Sequence, residues 1–251
     1  MADSARLKRI TEAVRDAGRV GVAELAALTG ASEMTIRRDL EALAAQGVLE
    51  RYRGGARSLL LRGTEPPFAL RAQEGLEVKR RIAAEVAGLI ADGESVVLDS
   101  GTTCLEVARA LAHRRLTVMP LSLHAVNALT DGPHLTLLVP GGRPRPGELA
   151  LTGPLAEASL TALRFDTAVI GCCGLTAEDG LTAFDLDDAA VKRTAIGCAR
   201  RVIAVAEAGK LSRTALAHVA PACALHAVVT DAAPDDRTDR LTAAGPTVRT
   251  V

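Results

Sequence analysis

Apolar residues in the first 57 positions recur at helical spacing in three short runs. Leu7, Ile10 and Val14 stand three and four apart, predicting a helix over about Asp3–Ala17 that Gly18 ends. Leu25 and Leu28 fall on one face of a second helix, about Val22–Leu28. Thr29-Gly30-Ala31 interrupts the pattern, and Gly30 suits the left-handed backbone of a helix C-cap. Ser32 then caps a third helix, which runs to about Gln46 with Ile36, Leu40 and Leu43 as its buried stripe and Gly47 as its stop. Residues 48–57 alternate weakly around Gly54-Gly55 and predict a β-hairpin.

Gly63, Thr64 and Pro66-Pro67 predict a linker over residues 58–74, because paired prolines cannot continue a helix. A helix over about Gly75–Ala91 follows, with Val78, Ile82, Val86 and Leu89 apolar. Short apolar runs then alternate with helical stretches. The predicted strands are Ser95–Leu98, Leu116–Met119, Leu135–Val139, Thr167–Ile170, Val202–Ala206 and Ala227–Thr230. The helices lie near 104–112, 123–130, 154–163 and 187–199. This alternation predicts a parallel sheet covered on both faces. The expected fold is α+β overall: a winged helix-turn-helix domain (1–57), a linker (58–74) and an α/β, mostly parallel-sheet effector-binding domain (75–251).

Composition narrows the class. Apolar residues make up 48% of the chain, yet there is no Trp, one Tyr (Tyr52) and three Phe. The core must therefore be built from Ala, Val, Leu and Ile, the usual stock of helices packed on a parallel sheet. The start is polar, and no apolar run approaches the ~20 residues that span a bilayer. A cytoplasmic protein without a membrane segment is expected. The five cysteines lack C-x-x-C spacing and read as reduced thiols; the five histidines form no ligand pattern. No metal or cofactor is expected. Net charge is zero, with 10 Lys and Arg against 8 Asp and Glu in residues 1–57, and 20 against 22 in the rest. Affinity for nucleic acid must therefore come from where individual cations stand.

Two helices joined by a short Gly-containing turn form a helix-turn-helix, whose second helix normally enters the major groove. Ser32, Glu33, Thr35, Arg37 and Arg38 lie off the buried stripe of that helix. Arginine can read guanine or hold phosphate. Arg51, Arg53 and Arg57, spaced two and four, are expected to share a strand face and hold the DNA backbone. A protein-binding module with surface arginines, or an Arg37–Glu41 pair one turn apart, remains the alternative.

Ligands of parallel sheets bind beyond the carboxyl ends of the strands. There, Asp99-Ser100-Gly101-Thr102-Thr103 leads into a helix and offers hydroxyls and free N–H groups to an anion. Ordinary cap and turn chemistry would use the same residues. Gly141-Gly142 with Arg143 and Arg145, Gly171-Cys172-Cys173-Gly174, and Glu207-Ala208-Gly209-Lys210 follow other strands. Together these loops suit a small anionic, polyhydroxy ligand, although Lys210 reads equally as a solvated surface residue.

The run Ser32-Glu33-Met34-Thr35-Ile36-Arg37-Arg38-Asp39-Leu40, with Leu43, Gly47, Leu49, Arg51 and Gly54-Gly55-Ala56, closely resembles the DeoR family of bacterial regulators. Tyr52-Arg53 departs from it, since the family usually has His before the Gly pair. Residues 75–232 resemble the family's sensor domain through Ser100-Gly101-Thr102-Thr103, Gly141-Gly142, Gly153, Asp166, Gly171 with Gly174, Gly180-Leu181-Thr182, Lys192-Arg193 and Lys210. That domain is similar in fold to ribose-5-phosphate isomerase and senses phosphorylated sugars. The resemblance implies that the Ser-Gly-Thr-Thr loop holds phosphate, with Lys192 and Lys210 near the sugar. Ser122 and Asp188 stand where the family reads its ligand, in altered surroundings: Pro120-Leu121-Ser122 replaces Thr-Asn-Ser, and Asp188 replaces Glu.

The expectation is a DNA-binding regulator, read as a repressor, without enzymatic activity. It would act as a homodimer or homotetramer on a double-stranded operator, under control of a phosphorylated sugar or related metabolite. The rival is a sugar-phosphate isomerase fused to a DNA-binding domain. Isomerisation needs a positioned carboxylate base, and Gly171-Cys172-Cys173-Gly174 supplies none.

Overall fold

The structure, a computed structural model, describes residues 2–45, 49–58, 66 and 68–251. Gln46, Gly47, Val48, Gly63, Thr64 and Pro67, invoked above for a helix end, a wing start and a linker, lie outside the described residues. The chain divides into two compact units, Met1–Glu74 and Gly75–Val251.

The first unit contains α1 (Ala2–Ala17), β1 (Arg19–Gly21), α2 (Val22–Thr29), α3 (Glu33–Ala45), β2 (Leu49–Tyr52), β3 (Gly55–Ser58) and α4 (Phe68–Gln73). Ile10, Val14, Leu25, Ile36, Leu40 and Leu43 form its core with Val20, Val22, Leu49 and Ala56. Gly30 ends α2 at φ 72°, as a left-handed cap. Leu28 is exposed rather than paired with Leu25. Each step of three residues falls about 60° short of a full turn, so Leu28 lies about 120° round from the buried Val22. The wing gains an unexpected strand: β1 pairs with β3 and gives the order β1-β3-β2. Its turn is Arg53-Gly54, because Gly55 already pairs with Tyr52. The segment expected as linker carries α4, whose Phe68 is buried and whose Leu70 packs on the same core.

The second unit begins with α5 (Leu76–Leu89) and β4 (Ser95–Leu98), followed by α6 (Thr102–Leu111), β5 (Thr117–Pro120), α7 (Leu123–Leu129) and β6 (Thr136–Leu137). A small hairpin, β7 (Arg143–Pro144) and β8 (Leu151–Thr152), leads to α8 (Pro154–Thr161) and β9 (Phe165–Gly171). Then come β10 (Gly174–Thr176), β11 (Gly180–Ala183), α9 (Leu186–Gly197), β12 (Ala199–Ala206) and β13 (Ala217–Ala220). The unit ends with β14 (Ala227–Thr230), α10 (Asp236–Ala243) and β15 (Thr247–Thr250).

Seven strands form one sheet in the order β15-β14-β12-β9-β4-β5-β6, with every neighbouring pair parallel. Side chains alternate across it. Val96 and Leu98 meet Ile82, Val86, Val107 and Leu111 on one face. Val97, Ala168 and Ile170 meet Leu160, Ala189 and Ala195 on the other. The antiparallel sheet β10-β11-β13 and the β7–β8 hairpin escape the sequence pattern, because these short strands are broken by Gly, Thr, His or Pro and form no continuous apolar run.

The order of the large sheet locates the ligand end. The chain builds β4, β5 and β6 outward in one direction, then returns to lay β9 on the other side of β4 and continues to β15. The loops after β4 and β9 therefore diverge to opposite sides, which opens a crevice at that switch point.

Candidate functional site

On the first unit, α3 is held from beneath and open above. Asp39 accepts two hydrogen bonds from the Arg6 guanidinium, at 2.7 and 3.2 Å, so α1 fixes the helix. Ser32 Oγ accepts from the Thr35 amide at 3.2 Å and caps it. Ser32, Glu33, Met34, Arg37 and Arg38 are exposed, and Thr35 is half-buried. Arg37 pairs with Glu33 at 2.8 Å, not with Glu41, which instead takes Arg51 at 3.4 Å. Arg38 forms no ion pair among the described residues.

The wing arginines do not share a face. Register sets Arg51 opposite Ala56 and Arg57 opposite Glu50, so Arg51 and Arg57 point to opposite sides of the sheet. Arg57 donates to Glu50 at 2.8 Å, and Arg53 stands exposed at the turn. Arg19, opposite Arg57 on β1, stacks over the Tyr52 ring at 4.0 Å. Arg19 escaped the sequence reading because only strand pairing brings it into the wing.

On the second unit, Asp99 spans the switch point. Its amide donates to Val169 O at 2.9 Å, and its Oδ2 accepts from the Gly171 amide at 2.8 Å. Gly101 caps α6 at φ 100°, a conformation that L side chains avoid. No cap side chain therefore competes for the first N–H groups of α6. Thr102 and Thr103 form the first turn and are buried.

Lys192 bonds to Asp99 and lies 3.4 Å from Asp188, whose other oxygen accepts from Ser100 Oγ at 3.4 Å. All four side chains are buried. Burial pushes the Asp99 carboxyl above its ordinary value, against the pull of Lys192. Burial also opposes the Lys192 charge, but Asp188 and Asp99 outweigh it and hold the ammonium above the ordinary lysine range. Lys192 is thus the counter-ion of two carboxylates rather than a free cation. Burial, then Asp99, pushes the neighbouring Cys104 thiol far up, so it is a packing residue.

Other expected residues divide. Lys210 reaches the site from beyond β12 and donates to Cys172 O at 2.8 Å. Ser122 caps α7 beyond β5 and is buried. Gly141 and Gly142 lie against α8, where a Cβ would meet Leu155 at 3.2 Å and Ala156 at 3.1 Å. Gly174 is a packing glycine, since a Cβ there would stand 2.1 Å from Arg213 O. Asp166 lies at the opposite end of the sheet, accepting from Ser95 N and Oγ at 2.9 and 2.7 Å.

Two features were not anticipated. Lys79 on α5 is fully buried and lies 3.7 Å from Glu207 in the Lys210 loop. Its signal was a lysine on an apolar stripe, three residues before Ile82 and seven before Val86. A cleft of about 540 Å³ runs between α6 and α7, lined by Leu105, Arg109, Leu123, His124, Asn127 and Leu149. Burial holds the His124 imidazole below its ordinary value, against Glu148.

Comparison with known proteins joins the two units. Residues 6–60 match the DeoR-like helix-turn-helix domain, and residues 74–232 match the DeoR C-terminal sensor domain. The glycerol-3-phosphate regulon repressor of Escherichia coli is 32% identical, with 93% of each chain covered. The HTH-type transcriptional regulator GlpR of Haloferax volcanii is 33% identical over 99% of this chain and 98% of its own. Among solved structures, ribose 5-phosphate isomerase A from Methanocaldococcus jannaschii is 15% identical, covers 55% of each chain and has a TM-score of 0.41. Among the described residues, no helix is long and apolar enough to cross a membrane. Both matched models describe parts of a regulator rather than an enzyme, and together they span most of the sequence. The chain belongs to the DeoR family of DNA-binding transcriptional regulators.

Proposed function

We propose that this regulator represses transcription from a cytoplasmic operator, and that a phosphorylated sugar or polyol bound at the β4–β9 switch point controls it. The observation that carries the reading is the glycine-capped start of α6 at that crevice. Free N–H groups at a helix start favour a phosphate, and Thr102, Thr103 and Lys210 stand ready to add hydrogen bonds. The name of the Escherichia coli relative, a glycerol-3-phosphate regulon repressor, supports a phosphorylated polyol. On the DNA side, Ser32, Glu33, Thr35, Arg37 and Arg38 read the major groove, while Arg51, Arg53 and Arg57 serve the wing. Two copies or four would present pairs of α3 helices to half-sites.

A ligand alters operator affinity only by binding the DNA-competent and incompetent states differently, and the coupling is reciprocal. Calorimetry of glycerol 3-phosphate and ribose 5-phosphate binding, with and without operator, tests this. The double variant Thr102→Val/Thr103→Val should still bind operator but lose ligand. Equal ligand affinity in variant and wild type would mean that the loop is only a helix cap.

A further inference from the structure

Around the anion loop, Asp99 and Asp188 contribute two negative charges and Lys192 one positive charge. A phosphate arriving there needs a cation that is not already committed. Lys192 is locked between two carboxylates, Lys79 is paired with Glu207, and Lys210, already assigned to the loop, donates to Cys172 O. Arg145 is held differently.

Arg145 leads the tip of the β7–β8 hairpin. Its amide donates to Ala150 O at 2.8 Å, and its carbonyl accepts from Leu149 N at 2.8 Å. Leu149 adopts φ 52°, a left-handed conformation that costs a non-glycine residue energy. The tip is docked on the segment just beyond β5: Leu149 O accepts from Leu123 N, Leu151 N donates to Leu121 O, and Ala150 bridges to Ser122. Strand β5 lies beside β4, so the hairpin is docked on the segment next to the strand that leads into α6.

The guanidinium faces Asp185 at 3.6 Å, beyond hydrogen-bond reach. Its Nε is buried and has no hydrogen-bond partner among the described residues. A buried donor left unsatisfied is costly and calls for an explanation. Asp185 is itself occupied, capping α9 through the Asp188 amide at 2.8 Å. Asp188 in turn touches Ser100 and Lys192. Arg145 is therefore linked to the anion loop through two acidic residues, Asp185 and then Asp188, and its own guanidinium is loosely held.

We propose that Arg145 is the residue that selects an anionic head group in the sensor's ligand, exchanging its loose contact with Asp185 for a bidentate pair with that group. This rests on the reading of Ser100–Thr103 as the anion loop. The planar guanidinium fork fits the oxygen pair of a phosphate or a carboxylate, which a lysine cannot match. Arg143, exposed and paired with Asp187 at 3.4 Å, takes no part.

The test uses full-length protein, with inorganic phosphate and glycerol 3-phosphate as probes, measured by calorimetry and thermal shift at constant ionic strength. Arg145→Gln should weaken both by about tenfold or more, as expected for losing hydrogen bonds to a charged group. Arg145→Lys should recover only part of the loss. Asp185→Asn keeps a capping side chain but removes the competing charge, so it should tighten binding. Arg143→Gln should match wild type. If Arg145→Gln does not fold, the Lys and Asp185→Asn variants decide. Unchanged affinity in the Arg145 variants, with binding lost in Thr102→Val/Thr103→Val, overturns the role of Arg145 and leaves the loop reading standing. Wild type that binds neither probe, or keeps both in the double threonine variant, overturns the loop reading and this proposal with it.

Discussion

The two units place their charged residues in opposite ways. On α3 the charges stand outside a finished core: Arg37 and Arg38 are exposed, and their removal uncovers nothing apolar. In the sensor the charges lie inside: Asp99, Asp188 and Lys192 are buried together at the end of a sheet. A surface that must meet a hydrated, polyanionic partner needs accessible cations, whose worth is realised only on binding. A site that must hold a small ligand out of water needs charges balanced before the ligand arrives, because unpaired buried charge is costly. Charged side chains thus stand outside the core in one unit and are built into the interior of the other.

The sharpest way to break that contrast is Lys192→Met. It leaves Asp99 and Asp188 buried without their counter-ion and should destabilise the sensor by about 3–5 kcal/mol. Denaturant unfolding would measure it, and a loss no greater than that of a surface substitution would remove the architectural role of Lys192.

Arg38→Ala should do the reverse, leaving stability within about 0.5 kcal/mol of wild type. It should weaken operator binding by about 1–3 kcal/mol if it reads a base. Gel-shift titration at several salt concentrations separates the alternatives. A phosphate contact lowers the salt slope by about one and affects all sequences alike. Unchanged affinity in a folded Arg37→Ala/Arg38→Ala variant would remove α3 as the recognition helix.

Ser32→Ala tests how far the recognition helix depends on its cap. Losing the Ser32 Oγ contact to the Thr35 amide should cost about 1 kcal/mol, read as a lower melting temperature of the first unit.

The smallest effect concerns pH. Hydrogen bonds from the Ser95 amide and hydroxyl hold the Asp166 carboxyl below its ordinary value of 3.8. The folded state then binds fewer protons there than the unfolded state. Its stabilisation is complete above 3.8 and fades as pH falls through the depressed value. Asp166→Asn should flatten the acid end of the stability profile; an unchanged slope would exclude this contribution.

Much of the fold was readable because periodicity is a local property. The stripes Leu7/Ile10/Val14 and Ile36/Leu40/Leu43, and the strands Ser95–Leu98 and Ala227–Thr230, each declare themselves within one element. The start of α6 was readable for the same reason, since Asp99–Thr103 is one continuous run. Misreadings arose where spacing was taken as proximity. Arg51 and Arg57 seemed to share a face until the hairpin register divided them. That Gly174 also packs against the backbone at Arg213 is visible only in the fold.

Chain order and residue pattern alone thus settle the long helices and the apolar central strands, where a helix-turn-helix lies, and which family the protein resembles. They leave open which strand ends become neighbours. Asp99 and Lys192 are 93 residues apart, and Arg145 and Asp185 are 40 apart. Only the crossover that returns the chain from β6 to lay β9 beside β4 brings the flanks of the crevice together. Local sequence specifies a residue's own backbone and the side of an element it occupies. Convergence of charges from distant segments depends on the packing of the whole sheet, whose strand order is set by long-range burial rather than by any single run of residues.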